Sequence, residues 1–141
     1  VLGSGTVMSY VRPDMLTSDR AEAERYAADP LISRPIAVNM LLDLHDTSTR
    51  LLDDAGAIQV PLLVLAAGSD WVVKESAQRR FYERASSPVK RFEVLPGFKH
   101  AIFHEKERRV VVDKVRDFIL ERFERQDETP SLVDADRSGY T

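Results

Sequence analysis

The chain has 141 residues, of which 43% are hydrophobic and 30% charged, a composition typical of a single globular domain and not of a disordered segment. With 20 basic and 23 acidic residues, the formal net charge of −3 gives no electrostatic reason to expect a nucleic acid or an anionic membrane as partner. The absence of cysteine excludes disulfides and fits a cytoplasmic location, and no apolar run reaches the roughly 18 residues that cross a bilayer.

The first part of the chain contains two helical patterns. Residues 1–7 are glycine-rich and indicate a loop or the end of a strand. A short helix is predicted over residues 17–26, where capping residues precede acids and good helix formers, and the following Asp-Pro pair ends it. A second, amphipathic helix is predicted over about residues 33–55, with Pro35 in its first turn, where the missing N–H costs little. The apolar face of this helix must pack against another part of the protein.

The second part alternates strands and helices. Residues 60–67 form a continuous apolar run, typical of a parallel strand buried on both faces, and residues 90–95 predict a second, less buried strand. Helices are predicted over residues 75–85 and over residues 105–123, the last as a surface helix packed on a sheet. Residues 126–141 are polar and show no periodicity, which indicates a tail or linker.

This order of elements predicts a β-α-β crossover, and therefore an α/β fold with parallel strands. Two strands do not make a stable parallel sheet, because both faces and both neighbours of such strands normally have to be covered. We therefore expect the missing strands to come from an N-terminal part of the protein or from a second copy of the chain. The start at Val1, without an initiator methionine, agrees with this expectation.

Two residues with catalytic potential follow the predicted strands. Asp70 comes three residues after the first strand, and His100 follows the second strand and its Pro-Gly turn. Ligands of open α/β sheets bind beyond the carboxyl ends of the strands, so we expect both side chains at one edge of the sheet. A carboxylate beside an imidazole fixes its tautomer and stabilises the imidazolium that forms in catalysis. The pair predicts a general base oriented by an acid.

Three segments resemble one protein family. Residues 60–73 are similar to a strand followed by a G-x-x-D-x-V acid loop, residues 95–105 to a histidine loop with an acidic residue five positions after the histidine, and residues 29–31 to a short motif ahead of the acid strand. These features resemble the α/β-hydrolases of the monoacylglycerol lipase and lysophospholipase type, which are grouped with the serine aminopeptidases. The resemblance covers residues 25–123. It implies the C-terminal part of an α/β-hydrolase fold, with a sheet that is incomplete on this chain.

The resemblance also implies a triad that runs serine, aspartate, histidine along the chain, with Asp70 as the acid and His100 as the base. The family's serine lies on a G-x-S-x-G elbow. Neither Ser4 nor Ser69 has glycines two positions before and after it, and no other serine fits. Because the elbow and the oxyanion-hole amides precede the cap in the family, we expect this chain alone to have little or no triad chemistry. No metal or organic cofactor is required.

In the family, helices ahead of the acid strand form a cap. The resemblance therefore implies a cap or lid region over residues 1–58, a hydrolase core segment with the acid and histidine loops over residues 59–125, and a polar tail or linker over residues 126–141. A cap of this kind shapes an acyl or hydrophobic alcohol pocket in lipase-like relatives. Side chains that would line such a pocket, or else pack a helix on the core, are Met8, Tyr10, Met15, Leu31, Met40 and Leu41.

Several of these residues also have plainer interpretations. Asp70 suits the cap of a turn. Trp71 either stiffens the acid loop or borders the pocket, and structural packing is the safer interpretation. His100 and His104 have the spacing that places two imidazoles on one helical face for zinc, but the glutamate of the metalloprotease motif is absent. Glu105 either orients the histidine loop or caps the last helix through its dipole, and the sequence favours the second.

Three functions follow from these patterns. The leading hypothesis is hydrolysis of a carboxylic ester, an acylglycerol or lysophospholipid, by a complete protein of which this chain is the C-terminal portion. A second hypothesis is a non-catalytic structural unit, in which paired copies complete the sheet. A third is a hydrolase module followed by a methyltransferase domain, because residues 129–141 resemble the linker of bacterial proteins that join the two.

Overall fold

The structure is a computed structural model that describes residues 5–124, and the predicted tail over residues 126–141 lies outside them. The chain divides into two units between Arg108 and Arg109. Both sheets of the described chain belong to the first unit. Among residues 5–124, no helix has the length and apolar character needed to span a bilayer.

A two-stranded antiparallel sheet begins the first unit. Strand β1 (Thr6–Met8) pairs with strand β2 (Pro35–Ala37), and Val7 lies opposite Ile36. The helix predicted over residues 33–55 is therefore wrong at its start. Proline lacks a backbone N–H and disfavours helical backbone in the residue before it, so it fits the first position of a short edge strand.

Two short helices follow β1. Helix α1 (Pro13–Leu16) was not predicted and begins at a proline, whereas α2 (Arg20–Ala28) begins after Asp19. The Asp19 side chain accepts a hydrogen bond from the Ala21 N–H at 3.0 Å and so caps the helix. The helix predicted over residues 17–26 is confirmed but begins three residues later, because the two residues before its cap bond to the histidine loop.

Helix α3 (Val38–Asp53) follows β2 directly and ends in a 3-10 turn at Asp54–Ala57. Many of its apolar side chains remain in solvent. The exposed ones are Met40, Leu41, Leu42, Leu44 and Leu51. Residues 5–124 therefore leave much of this amphipathic face without the cover that the sequence pattern requires.

The second sheet pairs β3 (Leu62–Ala67) and β4 (Lys90–Leu95) in parallel, with helix α4 (Glu75–Arg84) as the crossover. The strands are in register from first residue to last, so both end at the same edge. Their last residues, Ala67 and Leu95, are buried. The predicted β-α-β crossover is confirmed, and within the described residues this sheet has two strands, as expected of a partial fold.

Helix α5 (Arg108–Glu124) begins three residues later than predicted, because Glu105 and the turn before it belong to the histidine loop. Most of α5 lies in the second unit. There Asp113 forms ion pairs with Arg109 at 3.5 Å and with Arg116 at 2.9 Å along the helix. Packing of the helix on a sheet stays a prediction.

Candidate active site

The two parallel strands bring the loops that follow them together. After β3, the Gly68 N–H donates to the Leu95 carbonyl at 2.9 Å, and the Ser69 N–H donates to the Phe98 carbonyl at 2.8 Å. A side chain at position 68 would place its Cβ 2.9 Å from the Leu95 oxygen, so glycine is what lets the loops approach this closely. Gly97, with φ at +77°, makes the turn after β4.

Asp70 and His100, the two predicted site residues, lie side by side at this edge. Asp70 Oδ2 is 3.0 Å from His100 Nδ1, and Asp70 Oδ1 accepts N–H bonds from Val72 at 2.7 Å and Val73 at 3.0 Å. The side chain of Asp70 is 5% exposed and that of His100 is 37% exposed. The backbone of the acid loop thus holds one carboxylate oxygen while the other faces the imidazole.

These hydrogen bonds keep Asp70 ionised. Burial raises the pKa of Asp70, but the bonds from Val73, His100 and Val72 outweigh it, so the pKa lies below its ordinary value. An ionised carboxylate accepts hydrogen bonds and cannot donate one, so the proton of the shared contact belongs to His100 Nδ1. Nε2 is then the basic nitrogen of the neutral ring, as a general base requires.

Glu105 belongs structurally to the histidine loop. Its carboxylate is buried and accepts N–H bonds from Lys99 at 2.8 Å and from Ser18 at 2.9 Å. The interpretation that the sequence favoured, capping of the last helix through its dipole, is wrong, because the carboxylate is engaged with these two amides. No local sequence signal pairs Glu105 with Ser18, since 87 positions separate them.

The histidines of this loop do not form a metal site. His104 ends a 3-10 turn, and its Nδ1 lies 3.3 Å from Glu22 Oε2 on helix α2, while His100 faces Asp70. In the part of the chain that the structure describes, no three His, Cys, Asp or Glu side chains are grouped so as to hold a metal ion. The zinc interpretation of the His100–His104 spacing therefore has no geometric support.

A pocket of about 440 Å³ borders the acid and histidine loops. Its lining residues are Tyr10, Arg12, Asp14, Met15, Trp71 and Lys99. Trp71, the neighbour of Asp70, is 75% exposed, so the interpretation of Trp71 as a packing residue is wrong. Of the six side chains expected at a cap pocket, Tyr10 and Met15 line this one, whereas Met8, Leu31, Met40 and Leu41 are exposed on the surface.

Comparison with known protein families identifies the family of the chain. The family model described as serine aminopeptidase, S33, matches residues 2–107. The chain belongs to this family. The S33 family match includes both loops of the candidate site and the residues ahead of them, which confirms the resemblance to the monoacylglycerol lipase type of α/β-hydrolase.

Relatives of this S33 chain support the same fold. It is 41% identical to YnbC, an uncharacterized protein of Escherichia coli, over 93% of the chain and 24% of that protein. It is 25% identical to the monoacylglycerol lipase of Mycolicibacterium smegmatis, over 84% of the chain and 43% of that protein. The chain thus spans less than half the length of these curated relatives.

A solved structure agrees as well. The monoacylglycerol lipase of Paleococcus ferrophilus superposes with a TM-score of 0.72 at 23% identity, over 81% of this chain and 46% of that one. This likeness identifies the fold as a partial α/β-hydrolase.

Proposed function

We propose that the protein is a serine-dependent carboxylic-ester hydrolase of the monoacylglycerol lipase or lysophospholipase type, in which Asp70 is the acid and His100 the base of the triad. The observation that carries this proposal is the 3.0 Å contact between Asp70 Oδ2 and His100 Nδ1 at the carboxyl edge of the parallel strands. An ester of glycerol or glycerophosphate with a fatty acyl chain is the proposed substrate class. The pocket beside Trp71 is a suitable place for part of it.

The residues support the following sequence of proton transfers. His100 Nε2 takes the proton of a serine hydroxyl as the serine oxygen attacks the ester carbonyl. The imidazolium, stabilised by Asp70, returns that proton to the leaving alcohol as the acyl-enzyme forms. His100 then takes a proton from water, whose oxygen attacks the acyl-enzyme. The imidazolium returns this proton to the serine oxygen as the bond to the acyl group breaks and the fatty acid is released. Asp70 remains ionised throughout.

We also propose that the serine and the oxyanion-hole amides belong to polypeptide outside these 141 residues. Within the described residues, β3 pairs on one side only, with β4. A groove of about 690 Å³ flanks β3, and its apolar lining comprises Leu51, Leu52, Leu62, Leu63, Val64, Val73, Ala77 and Phe81. Strands added beside β3 would cover this groove. Residues 1–58 then form the cap, residues 59–125 the core segment and residues 126–141 a linker.

Self-association without catalysis is the second candidate function. The side of β3 that no strand of residues 5–124 pairs with and the exposed leucines of α3 favour it, because both would be covered if two copies of the chain paired. In that case the Asp70–His100 contact is a structural hydrogen bond and hydrolysis is absent.

The deciding experiment measures hydrolysis of p-nitrophenyl acyl esters by the intact protein, by the 141-residue chain and by a His100→Ala variant of the intact protein. We expect His100→Ala to lower kcat by at least about 10⁴-fold. His104→Ala is the matched control, because it removes an imidazole of the same loop that is paired with Glu22, and it should keep wild-type kcat. An intact protein that is indifferent to His100→Ala contradicts the triad, and activity in the short chain contradicts the outside serine.

A further inference from the structure

Glu105 is a buried carboxylate that the proposed chemistry does not use. It is 1% exposed, although it lies in a loop between two 3-10 or helical turns. A buried carboxylate is costly unless hydrogen bonds replace its water, so its partners indicate what it does. Those partners come from two segments that are distant in sequence.

The two carboxylate oxygens of Glu105 face different segments. Oε1 accepts the Lys99 N–H at 2.8 Å, and Lys99 immediately precedes His100. Oε2 accepts the Ser18 N–H at 2.9 Å and the Ser18 hydroxyl. Ser18 lies in segment 16–18, which runs from the last residue of α1 to the residue before the Asp19 cap of α2. The carboxylate therefore bridges this segment and the histidine loop.

The same segment holds the other flank of His100. The Ala101 N–H donates to the Leu16 carbonyl at 2.8 Å, and the buried Thr17 hydroxyl donates to the His104 carbonyl at 2.8 Å. The backbone amides before and after His100 are thus both fixed to segment 16–18, one directly and one through Glu105. This arrangement restrains the backbone from which the imidazole extends.

We propose that Glu105 is a positioning residue: by bridging Lys99 and Ser18 it holds His100 in the orientation where Nδ1 meets Asp70. The pocket residues Tyr10 to Met15 precede segment 16–18 directly, and the Lys99 ammonium donates to the Asp14 carbonyl at 2.6 Å. The residues that line the pocket and the loop that carries the base are therefore connected by hydrogen bonds. The kinetic consequence of this inference depends on the proposed ester hydrolysis.

Glu105→Gln tests the bridge in the intact protein. Glutamine has almost the same shape but only one acceptor oxygen, so its amide nitrogen must face either the Lys99 N–H or the Ser18 N–H, donor against donor. We expect kcat on a p-nitrophenyl ester to fall by about 10- to 100-fold, because small displacements of a catalytic group cost rates of this order, while KM changes less than about threefold. Glu107→Gln, at an exposed position two residues on, is the matched control and should keep wild-type values.

A spectroscopic measurement separates positioning from a general structural role. An imidazole Nδ1–H shared with a carboxylate gives a far-downfield proton resonance, which should be present in the wild type and in Glu107→Gln and lost or broadened in Glu105→Gln. If Glu105→Gln keeps both this signal and kcat, the inference is wrong. If Glu105→Gln does not fold, Ser18→Ala replaces it as the test, since it removes one donor to the same carboxylate from the cap side.

Ser18→Ala is expected to lower kcat by about threefold to tenfold and to broaden the same resonance, because a hydrogen bond to a charged acceptor is lost. Wild-type values in Ser18→Ala overturn the inference. The proposed function fails by a different result, namely full activity in His100→Ala. In that case the downfield proton still reports whether Glu105 orients the imidazole.

Discussion

The two carboxylate oxygens of Asp70 have different partners: Oδ1 accepts backbone N–H bonds, and Oδ2 faces His100 Nδ1. Because Oδ1 accepts two backbone N–H bonds, an asparagine at this position must keep its oxygen there and turn its NH₂ group toward His100 Nδ1. The ring is then forced to carry its proton on Nε2, which can no longer act as a base. We expect Asp70→Asn to lower kcat of the intact protein by about 10³- to 10⁴-fold with little change in KM.

The comparison variant for this prediction is Asp46→Asn, which removes a charge from an exposed position of α3. It should leave steady-state kinetics unchanged. Wild-type kcat in Asp70→Asn would mean that the aspartate serves as a turn cap and does not set the tautomer of the imidazole.

Asp70 and His100 are predictable from the sequence because each lies in a local motif directly after a recognisable strand, and parallel pairing then brings the two loops together. The role of Glu105 is not predictable in this way, because the donors that explain this residue, above all Ser18, are supplied by a segment 87 positions away. The exposure of Trp71 is not predictable either, since it depends on the space left by neighbouring loops. Local patterns predict what a loop carries, whereas burial and long-range partners decide what its other residues do.

At the scale of elements, one lysine ties α4 to β4. Lys90 Nζ, at the first residue of β4, donates to the carbonyls of Ala85 at 2.7 Å, Tyr82 at 2.8 Å and Glu83 at 3.1 Å, at the C-terminal end of α4. A cation at this end also interacts favourably with the helix dipole. Lys90→Met keeps the aliphatic chain but removes the charge and the donors, so we expect the free energy of unfolding to fall by about 1 to 3 kcal/mol.

Urea unfolding measures this effect. Lys106→Met, at an exposed position outside the helices, is the control and should shift the midpoint little. Equal midpoints in the two variants would show that the three carbonyl bonds contribute nothing measurable to stability.

The elements of the second half were more predictable than those of the first. Strand β4 has exactly the predicted bounds, and β3 and α4 differ by one or two residues, because apolar runs between clear turn signals leave few alternatives. The sequence of strand β2 predicts the start of a helix, but its structure depends on pairing with β1, which lies 27 or more positions earlier in sequence. A strand of three residues has too little periodicity to reveal that partner.

Low pH should lower the stability of the folded chain through Asp70 and Glu105, two carboxylates that join segments distant in sequence. Burial raises the pKa of Glu105, but the bonds from Ser18 and the Lys99 N–H, with the attraction of the Lys99 ammonium, hold it below its ordinary value, and the pKa of Asp70 is lowered in the same way. In the unfolded chain both acids titrate at about pH 4. A carboxylate whose folded pKa is depressed contributes stability above its unfolded pKa and loses it as pH falls toward the folded pKa.

We therefore expect the thermal midpoint of the intact protein to change little between about pH 7 and about pH 5 and to fall steeply below about pH 4. The double variant Asp70→Asn with Glu105→Gln should lose less of its own midpoint over that acid range, because neither site takes up a proton on unfolding. The control is Asp46→Asn with Glu107→Gln, which removes the same two charges from exposed positions and should keep the wild-type slope. If both double variants follow the wild-type slope, then acid acts through other groups, and the two buried carboxylates do not hold segment 16–18, the acid loop and the histidine loop together.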